Sequence, residues 1–283
     1  MMRSVKIWPA AAVLALGLTL LFQLPVLAEQ RDFRTRVSEK LAGEGVSTAD
    51  IAAEISFGRE VAAHILGRYK LDRDDRLNRY INLVGRGVAL HSNRSDLDFR
   101  FAVLASSTIN AYAAPGGYIF VTRGAIANMA DEAELAAVLA HEIAHVAERH
   151  IVRELGIRGE GGSAQAGLAH LIGAIGDPTR VAFKQAVDQA LDILFKQGYS
   201  RRDEAEADQN GLILLTATGY DPAGLRRYLA KLEESGAAEL EIHNRTHPPS
   251  AERLAALDLV ISETGLDKIA GPSLKERFNE QTR

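Results

Sequence analysis

Apolar side chains recur at helical spacing along most of the chain. Between residues 30 and 92 they return every three or four positions, as in Val61, Ile65 and Tyr69. This spacing is the period of an amphipathic helix. Further helices are predicted over residues 131–150, about 179–198, 202–217, 222–235 and 250–264.

A different pattern interrupts the helices after residue 97. Residues 98–104 begin with alternating polar and apolar side chains, and residues 111–113 and 118–122 flank the turn sequence Pro115-Gly116-Gly117. Alternation bounded by Gly and Pro is typical of strands joined by a hairpin turn. We therefore predict an α+β fold, mostly helical, with a small sheet or hairpin beside the helix at 131–150.

The N-terminus has the features of an export signal. Arg3 and Lys6 precede an apolar run over residues 7–22, and a stretch of small and apolar residues then ends at Ala28. This order predicts a cleaved signal peptide over residues 1–28 and a periplasmic protein. The alternative is an N-terminal anchor in the inner membrane that faces the periplasm, but the run is shorter than the roughly 20 apolar residues of a spanning helix.

Charge and cysteine content narrow the possible functions. The chain has 33 Lys and Arg against 37 Asp and Glu, a net charge of −4, so no basic excess indicates a nucleic-acid partner. It contains no cysteine, which excludes disulfide scaffolds, thiolate zinc sites and cysteine nucleophiles. A bound metal must therefore be held by histidines and carboxylates.

The sequence His141-Glu142-Ile143-Ala144-His145 lies inside the predicted helix at 131–150. His141 and His145 are four residues apart, about 40° around a helix, so both imidazoles can share one metal ion. Glu142 beside them can take a proton from water at that metal. The alternative is a chance match, but the polar face of the motif lies opposite an apolar one, which favours a metal site.

A third ligand must come from another part of the chain. Glu148 is seven residues from His141, about 10.5 Å along a helix, too far to share the ion. Glu204 and Asp208 lie four apart on the face that also carries Gly211, so we predict Glu204 as the ligand. Asp208 is predicted to accept a hydrogen bond from a ligating histidine. The alternative is that the helix macrodipole alone explains acids at this helix start.

Five motifs follow one another along the chain: NAYAAPGGYIFVTRGAI at 110–126, HEIAH at 141–145, GYSRRDEAEADQNG at 198–211, GYDP at 219–222 and THPPS at 246–250. Together they resemble the motif set of the zinc metallopeptidase family M48, the family of HtpX, BepA and the CAAX prenyl protease. The resemblance implies a zincin-like core in which one zinc per chain is held by His141, His145 and Glu204, with Glu142 as general base. We expect an exported member without the membrane helices or C-terminal repeats found in the family.

We therefore expect residues 29–270 to form one zinc metallopeptidase domain, followed by a charged, frayed tail at 271–283. The predicted function is a zinc endopeptidase that cleaves unfolded or misassembled proteins in the periplasm. A chaperone-like factor that binds outer-membrane or lipoprotein clients with little or no cleavage is the alternative. Peripheral association with a membrane is possible for either function, and the oligomeric state is open.

Two further predictions concern the residues that contact the substrate and the role of His247 at the metal. An extended substrate can pair with the edge of a strand, and Tyr118, Ile119, Phe120 and Val121 are the predicted contact residues; an ordinary packed hairpin is the alternative. His247 precedes two prolines in an irregular segment that the resemblance places near the metal. It can donate a hydrogen bond to the oxyanion, or act as a fourth zinc ligand that blocks the site. The alternative is that His247 belongs to a surface turn before the helix that begins near Ser250.

Overall fold

In the computed structural model of the protein, residues 46–92, 94–158, 177–235 and 240–283 are described. The predicted signal peptide at 1–28 lies outside the described residues. The helices are α1 (Thr48–Arg68), α2 (Asp75–Ala89), α3 (Arg123–Ala127), α4 (Glu132–Ala147), α5 (His150–Glu154), α6 (Asp177–Asp192), α7 (Arg201–Ala217), α8 (Gly224–Ser235), α9 (Glu241–Thr246), α10 (Ser250–Thr264) and α11 (Lys275–Thr282). The strands are β1 (Arg100–Leu104), β2 (Ala111–Ala114) and β3 (Tyr118–Thr122). The predicted mostly helical α+β class is confirmed.

The three strands form one small sheet in the order β1, β3, β2. β2 and β3 are antiparallel and joined by the turn Pro115–Gly117, in which Gly116 has a φ of 73°, so the predicted hairpin is confirmed. β1 runs parallel to β3 on its other side. The prediction that a substrate pairs with the edge of the strand at Tyr118, Ile119, Phe120 and Val121 is therefore wrong, because both edges of β3 are already paired.

Helix α4 lies at the centre of the molecule and is buried along its whole length. Its N-cap is Asp131, whose side chain accepts a hydrogen bond from the Glu134 backbone N–H. The helix ends at Ala147, three residues earlier than the pattern predicted. Arg149 then adopts a left-handed conformation with a φ of 57°, and α5 begins a new direction at His150.

Helices α4 and α7 approach closely because Gly211 faces the backbone of α4. A Cβ atom at this position would lie 3.0 Å from the Cα and N atoms of His141. Helix axes can come this near only where a side chain is absent at the crossing. The glycine thereby brings the acidic end of α7 beside the histidines of α4.

The charged end of the chain is ordered, so the predicted frayed tail at 271–283 is wrong. It contains α11, whose Phe278 is buried in the main apolar core. Arg277 Nε donates a 2.6 Å hydrogen bond to Glu132 Oε2 in the first turn of α4. The high charge of this segment suggested that it is exposed to solvent. Instead, one buried aromatic side chain and one ion pair hold it against the rest of the protein. Within the described ranges, none of the helices has both the length and the apolar character that crossing a bilayer requires.

Candidate metal centre

The two histidines of α4 point toward α7 and meet a carboxylate there. His141 Nε2 lies 3.1 Å from His145 Nε2. Glu204, in the first turn of α7, places Oε2 at 3.8 Å from His141 Nε2 and Oε1 at 3.5 Å from His145 Nε2. All three side chains are buried, and their ligand atoms form a group able to hold one ion. The structure thus brings together the three predicted ligands.

The surroundings of Glu204 match a metal ligand. Both of its carboxylate oxygens are buried and accept no hydrogen bond from any described residue. Arg253 Nη1 lies 3.9 Å from Oε2, close enough for an ion pair but too far for a hydrogen bond. A buried carboxylate without a hydrogen-bond donor is costly, and a bound cation removes that cost. Ligand atoms about 2.0–2.1 Å from a tetrahedral Zn²⁺ lie roughly 3.4 Å from one another. The observed separations of 3.1, 3.5 and 3.8 Å are close to this value.

Asp208 lies one turn after Glu204 and contacts the outer nitrogen of the first histidine. Its Oδ1 is 2.9 Å from His141 Nδ1. Arg253 of α10 clamps the same carboxylate, with Nη2 2.6 Å from Oδ1 and Nε 2.9 Å from Oδ2. Burial alone would raise the pKa of Asp208, but the charge of Arg253 and the contact with His141 hold it well below its usual range. An ionised Asp208 accepts the Nδ1 proton of His141 and leaves Nε2 facing the centre.

Glu142 lies beside the ligands and faces a small cavity. Burial raises its pKa to about 7, because the site disfavours the charged form. The cavity holds about 20 Å³ of space and is also lined by His141, Ala111 and Tyr228. That volume accommodates about one water molecule and no peptide. A group with a pKa near neutrality beside a water-sized cavity is suited to proton transfer.

Helix α9 and the residue that follows it contribute two histidines, His243 and His247, to the cavity lining. His247, at its C-terminal end, places Nε2 3.9 Å from Glu204 Oε1 and forms a second possible ligand group with His141 and Glu142. His243, one turn earlier, stacks on His247 with ring centroids 4.4 Å apart. Burial lowers the pKa of His243 to about 3 and that of His247 well below its usual value, so both are neutral. The structure places His247 at the centre without deciding between its two predicted roles.

Three residues that contact the centre were not anticipated. Arg253 is described above, and Tyr199 stacks on His145 with ring centroids 3.9 Å apart. His150 places Nδ1 2.8 Å from His145 Nδ1. Each reaches the centre through tertiary packing, so spacing along the chain could not reveal it. The one available signal was for Tyr199, which lies five residues before Glu204 in the motif at 198–211.

None of the four predicted substrate residues, 118–121, is among those that line the cavity. The lining instead includes Asn110 and Ala111, at the start of β2. β2 is an edge strand of the sheet and lies next to α4. The Tyr199 hydroxyl donates a 3.3 Å hydrogen bond to the Ala113 carbonyl. The edge that faces the candidate centre therefore belongs to β2.

Comparison with known proteins agrees with this arrangement. A sequence profile described as Peptidase family M48 matches residues 75–261. The chain is 31% identical over 221 residues to the beta-barrel assembly-enhancing protease of Escherichia coli strain K12, an alignment that covers 74% of this chain and 44% of the relative. It is 29% identical over 237 residues to the putative beta-barrel assembly-enhancing protease of Vibrio cholerae serotype O1, covering 82% and 48% of the two chains.

A third relative is mitochondrial. The metalloendopeptidase OMA1 of Schizosaccharomyces pombe is 29% identical over 181 residues, which is 63% of this chain and 51% of the relative. The chain thus spans about half the length of the curated relatives it matches. The matched region at 75–261 contains both helices that carry the candidate ligands.

Proposed function

The chain belongs to peptidase family M48, and we propose that it is a zinc-dependent endopeptidase that cleaves unfolded or misassembled proteins in the periplasm. The observation that carries the proposal is the Glu204 carboxylate, which is buried without a hydrogen-bond donor and faces two imidazoles. Two histidines and one glutamate are the ligand set of several catalytic zinc sites. Structural zinc sites usually fill all four positions, so three ligands favour catalysis.

In this proposal, His141, His145 and Glu204 hold one zinc ion per chain. A zinc ion held there supplies Lewis-acid chemistry, lowering the pKa of water and polarising a peptide carbonyl. Glu142 takes the proton from the attacking water and returns it to the nitrogen of the leaving amine. Burial raises the pKa of Glu142, whereas a zinc ion beside it would favour the carboxylate that accepts the proton.

Asp208 and Arg253 act through His141. The Asp208 carboxylate accepts the Nδ1 proton of His141, which fixes the ring with Nε2 toward the zinc. Arg253 holds Asp208 in place from α10 through two hydrogen bonds. The pair therefore links α4, α7 and α10 and preorganises the His141 ring for metal binding.

We assign the substrate strand to the β2 edge rather than to β3. An extended peptide that adds to an edge strand is held by backbone hydrogen bonds and needs no particular sequence. Such binding suits unfolded clients, whose backbones are accessible. The cavity of about 20 Å³ is too small for a peptide, so the α9 segment must move before a substrate can bind.

Two observations support the proposed substrate class and the proposed location of the protein. Two relatives are named as beta-barrel assembly-enhancing proteases, which suggests that envelope proteins are the clients of this chain as well. The N-terminal sequence predicts export. Together they favour a role in quality control of the bacterial envelope.

The small size of the cavity supports a second candidate, a chaperone-like factor that binds envelope clients and rarely cleaves them. A site covered by α9 has low basal activity in either case, but only a peptidase loses its activity with its metal. Purified protein lacking residues 1–28 is incubated with unfolded casein, with and without a chelator, and zinc is then restored. We expect cleavage that the chelator abolishes and zinc recovers. Casein that stays intact in the presence of zinc would favour the chaperone.

A further inference from the structure

The outer nitrogen of the second histidine faces another histidine, not a carboxylate. His145 Nδ1 lies 2.8 Å from His150 Nδ1. The other nitrogen of that ring, His150 Nε2, lies 3.2 Å from Glu206 Oε2 and 3.7 Å from Asp203 Oδ1. His150 is buried, whereas the two carboxylates are partly exposed. A line of hydrogen-bonding groups therefore runs from the metal centre to the protein surface.

We infer that His150 is a positioning residue that fixes the tautomer of His145 and thereby raises the affinity for zinc. The inference rests on the proposed zinc site. A histidine that binds zinc through Nε2 carries its proton on Nδ1, so His145 must donate to His150 Nδ1. Because His150 Nδ1 accepts this hydrogen bond, the proton of the His150 ring lies on Nε2. The Nε2–H group donates a hydrogen bond outward to Glu206, with Asp203 close by.

The break after α4 is what makes this contact possible. On a continuous helix, a residue five positions after His145 would lie about 140° around the axis and point away from it. Instead the helix ends at Ala147, and Arg149 turns the chain with a φ of 57°. A non-glycine residue in this conformation is uncommon and costs energy. Here the turn brings the His150 ring against the ring of His145, with centroids 4.9 Å apart.

Tyr199 and Arg153 complete the arrangement. The Tyr199 ring stacks on His145 with an interplanar angle of 17° and touches His150 from the side. It therefore restricts rotation of both imidazoles. Arg153 Nη2 lies 3.2 Å from Asp203 Oδ1 and holds the outer carboxylate.

The group of His150, Asp203 and Glu206 also has the spacing to hold an ion of its own. Two features argue against that function. Zinc on His145 places a proton on His150 Nε2, the nitrogen that a second ion would need. The guanidinium of Arg153 already supplies positive charge to the carboxylates. The Glu206 carboxylate therefore accepts a hydrogen bond from His150 Nε2, and we expect the chain to bind one zinc.

The test measures zinc affinity in three variants by competition with a fluorescent chelator. His150→Phe keeps a ring of similar size but has no acceptor, and we expect zinc affinity to fall about 10- to 100-fold. In His150→Asn the amide oxygen occupies nearly the place of Nδ1, so affinity should recover to within a few-fold of wild type. His64→Phe changes an exposed histidine of α1 and should have no effect.

Nitrogen NMR of the zinc-loaded wild type gives a second readout that needs no variant. We expect a proton on His150 Nε2, none on His150 Nδ1, and a proton on His145 Nδ1. A proton on His150 Nδ1, a second bound zinc that Glu206→Ala removes, or unchanged affinity in His150→Phe would overturn the inference alone. A wild-type protein that binds no zinc would instead overturn the proposed function, and this inference with it.

Discussion

The two sides of the candidate centre are built differently. On one side, α4 and α7 pack so closely that a Cβ atom at Gly211 would lie 3.0 Å from the backbone of His141, and Arg253 clamps Asp208 across the contact. We call this side the platform: the metal-facing parts of α4 and α7 with Arg253. On the other side lies the cover, the six-residue helix α9 and His247.

The cover is held in a different way, and Gly198 packs closely against the backbone of Thr246. Its helix has no side-chain N-cap, and Arg245 fastens it through one 3.1 Å hydrogen bond to the Phe195 carbonyl. His243 Nε2 is buried there and has no hydrogen-bond partner among the described residues. A helix of six residues without a side-chain cap opens at lower free-energy cost than a long buried helix. The comparison suggests that the platform sets the chemistry and the cover sets access to it.

The largest expected effect falls on the platform. Glu142→Gln removes the proton acceptor but keeps the size of the side chain and all three ligands. We expect turnover of casein to fall by about 10²- to 10⁴-fold, while zinc content and the circular dichroism spectrum stay as in wild type. Cleavage at the wild-type rate would remove Glu142 from the mechanism.

The second effect concerns the stability of the platform. Arg253→Met removes both guanidinium hydrogen bonds from the buried Asp208 and leaves it the contact with His141, so we expect the free energy of unfolding to fall by about 3–5 kcal/mol. The measurement is urea denaturation of the metal-free protein. The matched control is Arg226→Met, which breaks an exposed ion pair with Asp258 and should cost no more than about 1 kcal/mol. Equal losses in the two variants would mean that Arg253 does not clamp the platform.

A third change separates the two helices. Gly211→Leu forces a side chain against the backbone of His141, and we expect a loss of about 1–3 kcal/mol in stability together with weaker zinc binding. Gly87→Leu is the control, since nothing lies within 4 Å of a Cβ atom at that helical position. Zinc affinity that is unaffected in Gly211→Leu would show that close packing is not needed for the site.

The smallest change is expected at the cover. His247→Ala removes a possible fourth ligand, and we expect basal casein cleavage to rise. If the cover is closed about nine-tenths of the time, the gain is about tenfold. A loss of roughly a hundredfold would identify His247 as an oxyanion donor instead. An unchanged rate would return it to the role of a surface turn.

Local spacing explains what the sequence could predict. Two pairs of site residues are four positions apart on one helix: His141 with His145, and Glu204 with Asp208. The helix period alone therefore predicts that the two members of each pair lie side by side. The hairpin was equally local, because its turn residues lie between the two strands. These predictions needed no knowledge of how distant segments pack.

The predictions that failed and the contacts that were missed depend on how distant segments pack. Both edges of β3 are paired because β1 joins it from outside the hairpin, and the alternation pattern does not encode strand order. Arg253 and Tyr199 reach the histidines from remote segments. His150 is near in sequence, but its position depends on a left-handed turn at Arg149, where no glycine or proline signals a break. Phe278 anchors α11 by packing into the apolar core. The charged residues around it along the chain gave no sign of this anchor.

The most direct test of the central claim is the zinc content of the purified protein and of two matched variants, measured by elemental analysis. We predict about one zinc per chain in wild type, almost none in Glu204→Gln, and a full complement in Glu206→Gln, whose amide oxygen still accepts from His150. Full zinc occupancy in Glu204→Gln, or a wild type that cleaves casein without any metal, would contradict the account.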